Sequence, residues 1–425
     1  MSGSFQFPDG FLWGSAASAH QVEGSNIHND WWAWEQAGRV KTASGLACDH
    51  YRRFADDFDL AVSLGHNAHR FSIEWSRIEP AEGQWDDAAL AHYADVLAAL
   101  RARRLEPVVT LHHFTNPQWL LDRGGWTAPL AVDRFERYVK RVAAALGDRV
   151  RYWALINEPM VYVRMHYVQG LGPPGAKDFP QALRVAEHLI RAHAAGYHAV
   201  HAARRPEQRR PFVGIAHHIP AFKPCRAWFP PDRRAAMLTD RFFNAAMLEA
   251  MTEGHWTVPG VKHIAIPEAR HTLDFLGVNF YGRQFIHWNP PGPWPGDTCD
   301  PAHHRQITER TSMGWDVSPE TLEEVLVEWA TLGLPLFVTE NGTYMQDDAQ
   351  RWSFIRRHIQ AVARAVKRGV PVLGYLYWSL LDNFEWAEGY GPRFGLIEVD
   401  YATQRRTVRE SAKQYAEICR ANRIA

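Results

Sequence analysis

Eight short apolar runs, each ending in polar residues and each followed by a stretch with helical spacing, govern what this chain can fold into. The runs are FLWGSAAS (11–18), AHRFSIEW (68–75), EPVVTLHH (106–113), RYWALINE (151–158), PFVGIAHH (211–218), TLDFLGVNFYG (272–282), PLFVTE (335–340) and PVLGYLYWSL (371–380). Near-continuous apolarity, rather than strict alternation, marks a strand buried on both faces. Helical spacing follows at 49–64, 87–103, 130–146, 181–203, 234–252, 319–332, 347–368 and 408–422. Strand and helix in strict alternation over 425 residues predict an α/β fold, a single (β/α)8 TIM barrel spanning residues 1–425. A doubly wound open sheet is the alternative. It requires a GxGxxG turn directly after an early strand, and none of the early strands is followed by one. No shift in composition marks a second domain.

Charge and composition narrow the partners. The 47 basic residues balance 47 acidic ones, which gives no electrostatic case for nucleic acid or an anionic membrane surface. No apolar run reaches the length of a membrane span. The first residues, MSGSFQFPDGFLWG, lack a basic segment followed by a long apolar one, so no signal peptide is read and a cytoplasmic location is expected. Cys48, Cys225, Cys299 and Cys419 show no CxxC or CxxH spacing; four free thiols are expected rather than a zinc site. The 18 tryptophans suit a large core, or flat surfaces for stacking on sugar rings.

In such a barrel the chemistry sits at the C-terminal ends of the strands. Those ends carry Ser18 with His20 and Gln21, Arg70 and Glu74, His112 and His113, Asn157 and Glu158, His217 and His218, Asn279 and Tyr281, Glu340, and Trp378. Hydrogen-bonding and stacking residues of this kind suit a neutral polyhydroxylated ligand. Two apolar strands end in a glutamate beside an asparagine, in WALINEP and FVTENG. Strands four and seven lie on roughly opposite sides of an eight-stranded ring, so the two tips can face each other across its mouth. One carboxyl can protonate a leaving oxygen while the other attacks an anomeric carbon. Burial and mutual proximity supply the different proton affinities this needs. The structural reading of either glutamate is a helix cap or an arginine partner. His112, His113, His217 and His218 also admit a metal-dependent hydrolase, although SAAS at the first strand end offers no HxH ligand pair.

Four longer motifs together resemble glycoside hydrolase family 1, the retaining β-glucosidase type, over nearly the whole chain. FLWGSAASAHQVEG resembles its N-terminal signature, ALINEP its acid/base motif, VTENG its nucleophile motif, and YWSLLDNFEWAEGY followed by RFGL its sugar-binding segment. The resemblance implies that Glu158 is the general acid/base and Glu340 the nucleophile. It implies that Asn157 meets the 2-hydroxyl, that Arg70 keeps Glu340 ionised, that Tyr281 hydrogen-bonds Glu340, and that Asn279 lines the same floor. Gln21, His112, Glu385 and Trp386 match residues that grip the terminal sugar. Trp378 matches the platform beneath its ring, and Phe394 belongs to the same binding segment.

Two positions depart from the family pattern. His113 stands where tryptophan is common, and His20 where tyrosine is common. Glu385 occupies the place where members acting on 6-phosphorylated sugars carry positive charge, which implies an unphosphorylated glycoside. The implied reaction is exo-hydrolysis of terminal β-D-glucosides, with β-galactosides and β-fucosides also accepted. It proceeds with retention through a covalent intermediate, between carboxyls about 5–5.5 Å apart. No metal or organic cofactor is implied, and the implied partners are small-molecule β-glycosides and oligosaccharides. A transglycosidase using the same residues and a catalytically silent sugar-binding protein are the other readings.

Overall fold

The computed structural model describes residues 4–289, 296–300, 304 and 307–425. The Pro-, Gly- and Trp-rich stretch WNPPGPWPGD (288–297), which the sequence predicts to be a loop, lies partly outside the described residues. All eight apolar runs form strands: β1 (Leu12–Ala16), β2 (Ala68–Ser72), β3 (Glu106–His112), β4 (Tyr152–Asn157), β5 (Phe212–His218), β6 (Phe275–Asn279), β7 (Leu336–Asn341) and β8 (Val372–Trp378). They pair in parallel in chain order, and β8 returns to β1, which closes the barrel. The chain therefore has the (β/α)8 TIM-barrel architecture read from its pattern.

One helix packs outside the ring after each strand, beginning with α1 (His50–Ser63), α2 (Asp87–Ala102), α3 (Leu130–Leu146) and α4 (Phe179–Ala203). Aspartates at the N-caps fix several starts. Asp86 accepts from the backbone N–H groups of Ala88 and Ala89, and Asp178 from that of Gln181. In α3 the buried face is Phe135, Tyr138, Val139, Val142 and Leu146, spaced three to four residues apart. The single helix expected at 234–252 differs. It runs as α5 (Pro230–Asp240), widens into a π-helical stretch over Arg241–Ala245, and resumes as α6 (Ala246–Glu253). Within the wide turn the Phe243 carbonyl accepts from His217 Nε2 at 3.1 Å, a bond that ties this helix to the end of β5. The remaining outer helices are α7 (Pro319–Trp329), α8 (Asp348–Lys367) and α9 (Glu410–Ala421).

Two layers of core result. The lumen is filled by Ala68, Val108, Tyr152, Ala154, Ala216, Phe275, Phe337 and Leu376, small residues facing large ones. A larger apolar layer lies between strands and helices. Beyond the ends of β5 and β6 the chain adds a small rim sheet, in which Arg283–Trp288 is flanked by Ala221–Pro224 and Gly296–Thr298.

That sheet overturns the expectation of four free thiols. Cys225 and Cys299, 74 residues apart, are joined as a disulfide, while Cys48 and Cys419 are free and buried. The pairing follows from strand order, because the cysteines end the two strands that flank the central one. No helix among the described residues is long and apolar enough to cross a membrane.

Candidate active site

Both glutamate-bearing strands are irregular where it matters. On β4, Ala154 pairs with Gly214 and Asn157 with Ala216, so β4 carries one residue more than its partner. On β7, Val338 and Glu340 pair with the consecutive residues Val278 and Asn279, again one residue extra. Such bulges turn the following side chain relative to the regular pleat. Glu158 then leaves the strand in the left-handed region, at φ 44° and ψ 56°, and Pro159 opens the next short helix. A non-glycine residue held there costs about 1–2 kcal/mol. The stop on proline thus swings a carboxyl out of the ladder at the barrel mouth. After Glu340 the requirement is space. A Cβ on Gly342 would come within 1.8 Å of the Trp378 carbonyl oxygen, so β7 can pass β8 there only as glycine.

A continuous hydrogen-bond network connects the two carboxyls. Arg70 donates to Glu340 Oε1 at 2.5 Å and to Asn157 Oδ1 at 2.7 Å, with its Nε held by Thr110 Oγ1 at 3.0 Å. Tyr281 donates its hydroxyl to Glu340 Oε2 at 2.7 Å. Asn279 donates to Asn157 Oδ1 at 3.1 Å and to Glu158 Oε1 at 2.9 Å, and its own Oδ1 accepts from Thr339 Oγ1 at 2.7 Å. These six predicted residues and the two threonines come from five different strand ends.

Glu340 and Glu158 are 3 % and 8 % exposed, so loss of hydration dominates their chemistry. Burial pushes the Glu158 carboxyl up to about 7, opposed by Asn279 and Arg70. Burial also pushes Glu340 up to about 7; Arg70 opposes this, the Glu158 charge adds to it, and Tyr281 opposes it. Arg70 therefore does not by itself hold Glu340 in the ordinary carboxylate range, because desolvation outweighs it. The two groups titrate as a pair. Within the pair, Glu340 has two donors, one of them a cation, and is the better site for the negative charge.

A second cluster lies beside this pair. Gln21 donates to Asn383 Oδ1 at 3.0 Å, to the Phe384 carbonyl at 2.8 Å and to Glu385 Oε2 at 3.4 Å. Trp378 Nε1 donates to Glu385 Oε1 at 3.3 Å. Burial pushes Glu385 up to about 8; Trp378 opposes, and the charges of Glu340 and Asp382 reinforce it. Phe394 packs with Trp378 and Ala16, flanked by Tyr281, Met313 and Tyr344. His112 Nε2 pairs with Asn116 Oδ1 at 3.1 Å, and its Nδ1 finds no protein partner.

The two departures from the family pattern meet in space. The His20 ring stacks on Trp386 at 5.7 Å and 12°, and His113 lies nearly parallel to Trp386 at 6.3 Å and to Trp378 at 5.8 Å. His113 Nε2 accepts from Asn157 Nδ2 at 3.2 Å, and its Nδ1 is buried without a partner among the described residues. His20 is fixed from behind by Glu35 at 2.8 Å and by Asn29, which donates to its Nδ1 at 3.0 Å. The two histidines thus belong to one aromatic wall.

The four strand-end histidines do not gather. His217 bonds the Phe243 carbonyl and His218 the Asn279 carbonyl, and among the described residues they form no cluster able to hold an ion. Glu74 accepts from Ser76 and Thr115 and caps a short helix. Sequence reading missed Thr110 and Thr339, although both sit next to or two positions before named residues. It also missed Trp315, 5.8 Å from Tyr281 and 6.0 Å from Phe394, which lies in a loop with no strand signal.

A (β/α)8 barrel whose mouth holds two buried, bridged carboxyls beside a wall of tryptophan and amide groups defines a glycosidase. The model of glycosyl hydrolase family 1 matches residues 4–424, and the chain belongs to that family. It is similar to the β-glycosidase from Pyrococcus horikoshii, with 40 % identity, TM-score 0.93, and coverage of 100 % of this chain and 97 % of that one. It is similar to a β-glucosidase from Thermotoga maritima in complex with galacto-hydroximolactam, with 31 % identity, TM-score 0.90, and coverage of 98 % and 99 %. It is also 32 % identical to the 1,4-beta-D-glucan glucohydrolase of Thermotoga neapolitana, over 98 % of this chain and 99 % of that protein.

Proposed function

We propose that this chain is a retaining exo-β-glycosidase that hydrolyses unphosphorylated β-D-glucosides and accepts β-galactosides and β-fucosides. The observation that carries this reading is the unequal support of the two carboxyls. Glu340, bonded by Arg70 and Tyr281, is the ionised nucleophile; Glu158, whose side chain is bonded by Asn279 alone among the described residues, keeps the proton. Glu340 attacks the anomeric carbon as Glu158 gives its proton to the leaving oxygen. The glycosidic C–O bond breaks and a glycosyl ester forms on Glu340. Glu158, now a base, takes a proton from water as that water displaces Glu340 and releases the sugar. Asn157, oriented by Arg70 and Asn279, meets the 2-hydroxyl, where the bond strengthens as the anomeric carbon gains positive charge.

Neutral recognition follows from the second cluster. Gln21, Glu385 and Trp386 take the outer hydroxyls, His112 joins them, and Trp378 and Phe394 provide apolar contact. The charges acting most strongly on Glu385 are those of two carboxyls, which disfavours a phosphate. The similarity to a glucosidase holding a galacto-configured inhibitor supports acceptance of both configurations.

The test is proton NMR of the first sugar released from p-nitrophenyl β-D-glucoside, run beside the galactoside, the fucoside and a 6-phosphoglucoside. The β-anomer first, and no turnover of the phosphorylated substrate, is the expected outcome. The α-anomer first contradicts the mechanism. Aglycone release in large excess over free sugar, with water as the sole added acceptor, makes the chain a transglycosidase instead.

A further inference from the structure

We propose that Cys225, Cys299 and His304, with the cysteines in their dithiol form, bind a borderline-soft divalent cation of the zinc type, at a site in the rim sheet separate from the catalytic carboxyls. The two outer strands of that sheet end in these cysteines. The Cys225 backbone N–H donates to the Ile286 carbonyl at 2.7 Å, and that of Cys299 to the Phe285 carbonyl at 2.8 Å. Both sulfurs therefore emerge against the same pair of residues on the central strand, with Cα atoms 6.5 Å apart. His304 Nε2 lies 2.8 Å from Cys299 Sγ and 3.6 Å from Cys225 Sγ. Its ring is held in place by stacking on Phe285 at 3.8 Å and 18°. The three donor atoms lie within 4.8 Å of one another, and no other such trio occurs among the described residues.

The donor set is chemically specific. Two sulfurs alone complete a disulfide, and an imidazole nitrogen aimed at both adds nothing to that bond. Two thiolates and a neutral imidazole are a zinc donor set, with Zn–S about 2.3 Å and Zn–N about 2.0–2.1 Å. Tetrahedral geometry at those lengths puts sulfur and nitrogen about 3.6 Å apart; Cys225 is already at that separation from His304, and Cys299, at 2.8 Å, has to draw back once the disulfide is opened. Cys299 and His304 are 8 % and 6 % exposed and Cys225 is half-buried, so a thiolate at Cys299 needs a cation to balance it. From the disulfide the site forms only after a two-electron reduction by a phosphine or a dithiol, which gives both thiols; binding then releases one proton from each thiol to solvent. The disulfide offers no thiolate, so ion and disulfide exclude each other.

The site borders the catalytic mouth through Arg164, on the helical segment that follows Glu158. Arg164 donates to Gln284 Oε1 at 3.0 Å and to Thr298 Oγ1 at 2.6 Å, on two strands of the same sheet. An ion there clamps the rim without touching the reacting groups.

The test uses the full chain, reduced with a phosphine, supplied with Zn²⁺ and passed through a desalting column. Metal content and free thiols are then measured on the wild type, on Cys225→Ser/Cys299→Ser and on His304→Ala. The expected result is about one zinc per wild-type chain, none in the double variant, and affinity weakened about tenfold or more in His304→Ala. Cobalt is expected to give thiolate-to-metal charge-transfer absorption in the wild type and none in Cys225→Ser/Cys299→Ser. His304→Ala keeps both sulfurs and tests the site even where the double variant folds poorly. Zinc retention by the wild type no greater than by His304→Ala overturns the proposal. So does a cysteine pair that stays oxidised under reductant with no metal taken up.

Discussion

Glu340 and Glu158 draw on the protein unequally: among the described residues Glu340 accepts from a guanidinium at 2.5 Å and a phenol at 2.7 Å, whereas the Glu158 carboxyl accepts only from the Asn279 amide at 2.9 Å. Two buried carboxyls so arranged share one proton near neutral pH, and the difference in donors decides which of them holds it.

Burial raises both carboxyls to about 7, above the ordinary glutamate value of 4.5. The folded chain then binds more protons than the unfolded chain between those values, so this contribution to stability falls as pH rises from 4.5 to 7. Glu158→Gln, a neutral isostere, removes part of the penalty. It is expected to raise the unfolding free energy by about 1–3 kcal/mol at pH 8 and to leave it nearly unchanged at pH 4.5. Denaturant melts at the two pH values check this; an equal effect at both contradicts the assignment.

Tyr281→Phe removes a donor that favours ionised Glu340. The expected cost in kcat/KM is about 10–1000-fold, with the acidic limb of the pH profile moved to higher pH, because the carboxyl loses support for its charge. A merely structural tyrosine moves kcat/KM without moving that limb.

Glu158→Ala leaves the nucleophile intact but removes the proton donor. Substrates with poor leaving groups are expected to lose about 100–10,000-fold in kcat/KM, while a dinitrophenyl glycoside, which needs no protonation, loses far less in glycosylation. Azide added to that variant is expected to yield a β-glycosyl azide. Equal losses for both substrates remove Glu158 from the acid role.

His113 couples the aromatic wall to Asn157. His113→Ala removes the acceptor at 3.2 Å and opens the stack between Trp378 and Trp386. The expected effect is about a 10–100-fold fall in kcat/KM, with the ratio of glucoside to galactoside turnover altered. Because His20 touches the same Trp386, the effects of His20→Ala and His113→Ala are expected to be non-additive. Additive losses contradict a single wall.

The barrel was legible because burial on both faces writes itself locally. Val108, Trp153 and Val338 need apolar neighbours whatever the rest of the chain does. The strand-end residues were legible for the same reason: Glu158 and Glu340 interrupt apolar runs abruptly. What could not be read depends on register and long-range pairing. The extra residues in β4 and β7 change no composition, only which backbone groups meet. The π-helical turn at Arg241–Ala245 comes with a bond to the Phe243 carbonyl from His217, which lies on a strand 26 residues earlier. The cysteines showed no motif spacing because the rim sheet, not the chain, brings them together. His20 and His113 read as separate departures until Trp386 placed them in one stack. The proton affinity of Glu340 depends on how deeply it is buried, and its neighbours in sequence carry no record of that.

The central claim is that Glu340 forms the bond to the sugar. The most direct measurement is inactivation with a 2-deoxy-2-fluoro-β-D-glucoside bearing a good leaving group, followed by mass spectrometry of the digested protein. The fluorine slows both steps, and the leaving group lets the first proceed, so the intermediate accumulates. The account predicts one label per chain, on the peptide containing Glu340, that is released when a glycosyl acceptor is added. A label on Glu158, or full turnover by Glu340→Ala without any added nucleophile, contradicts it.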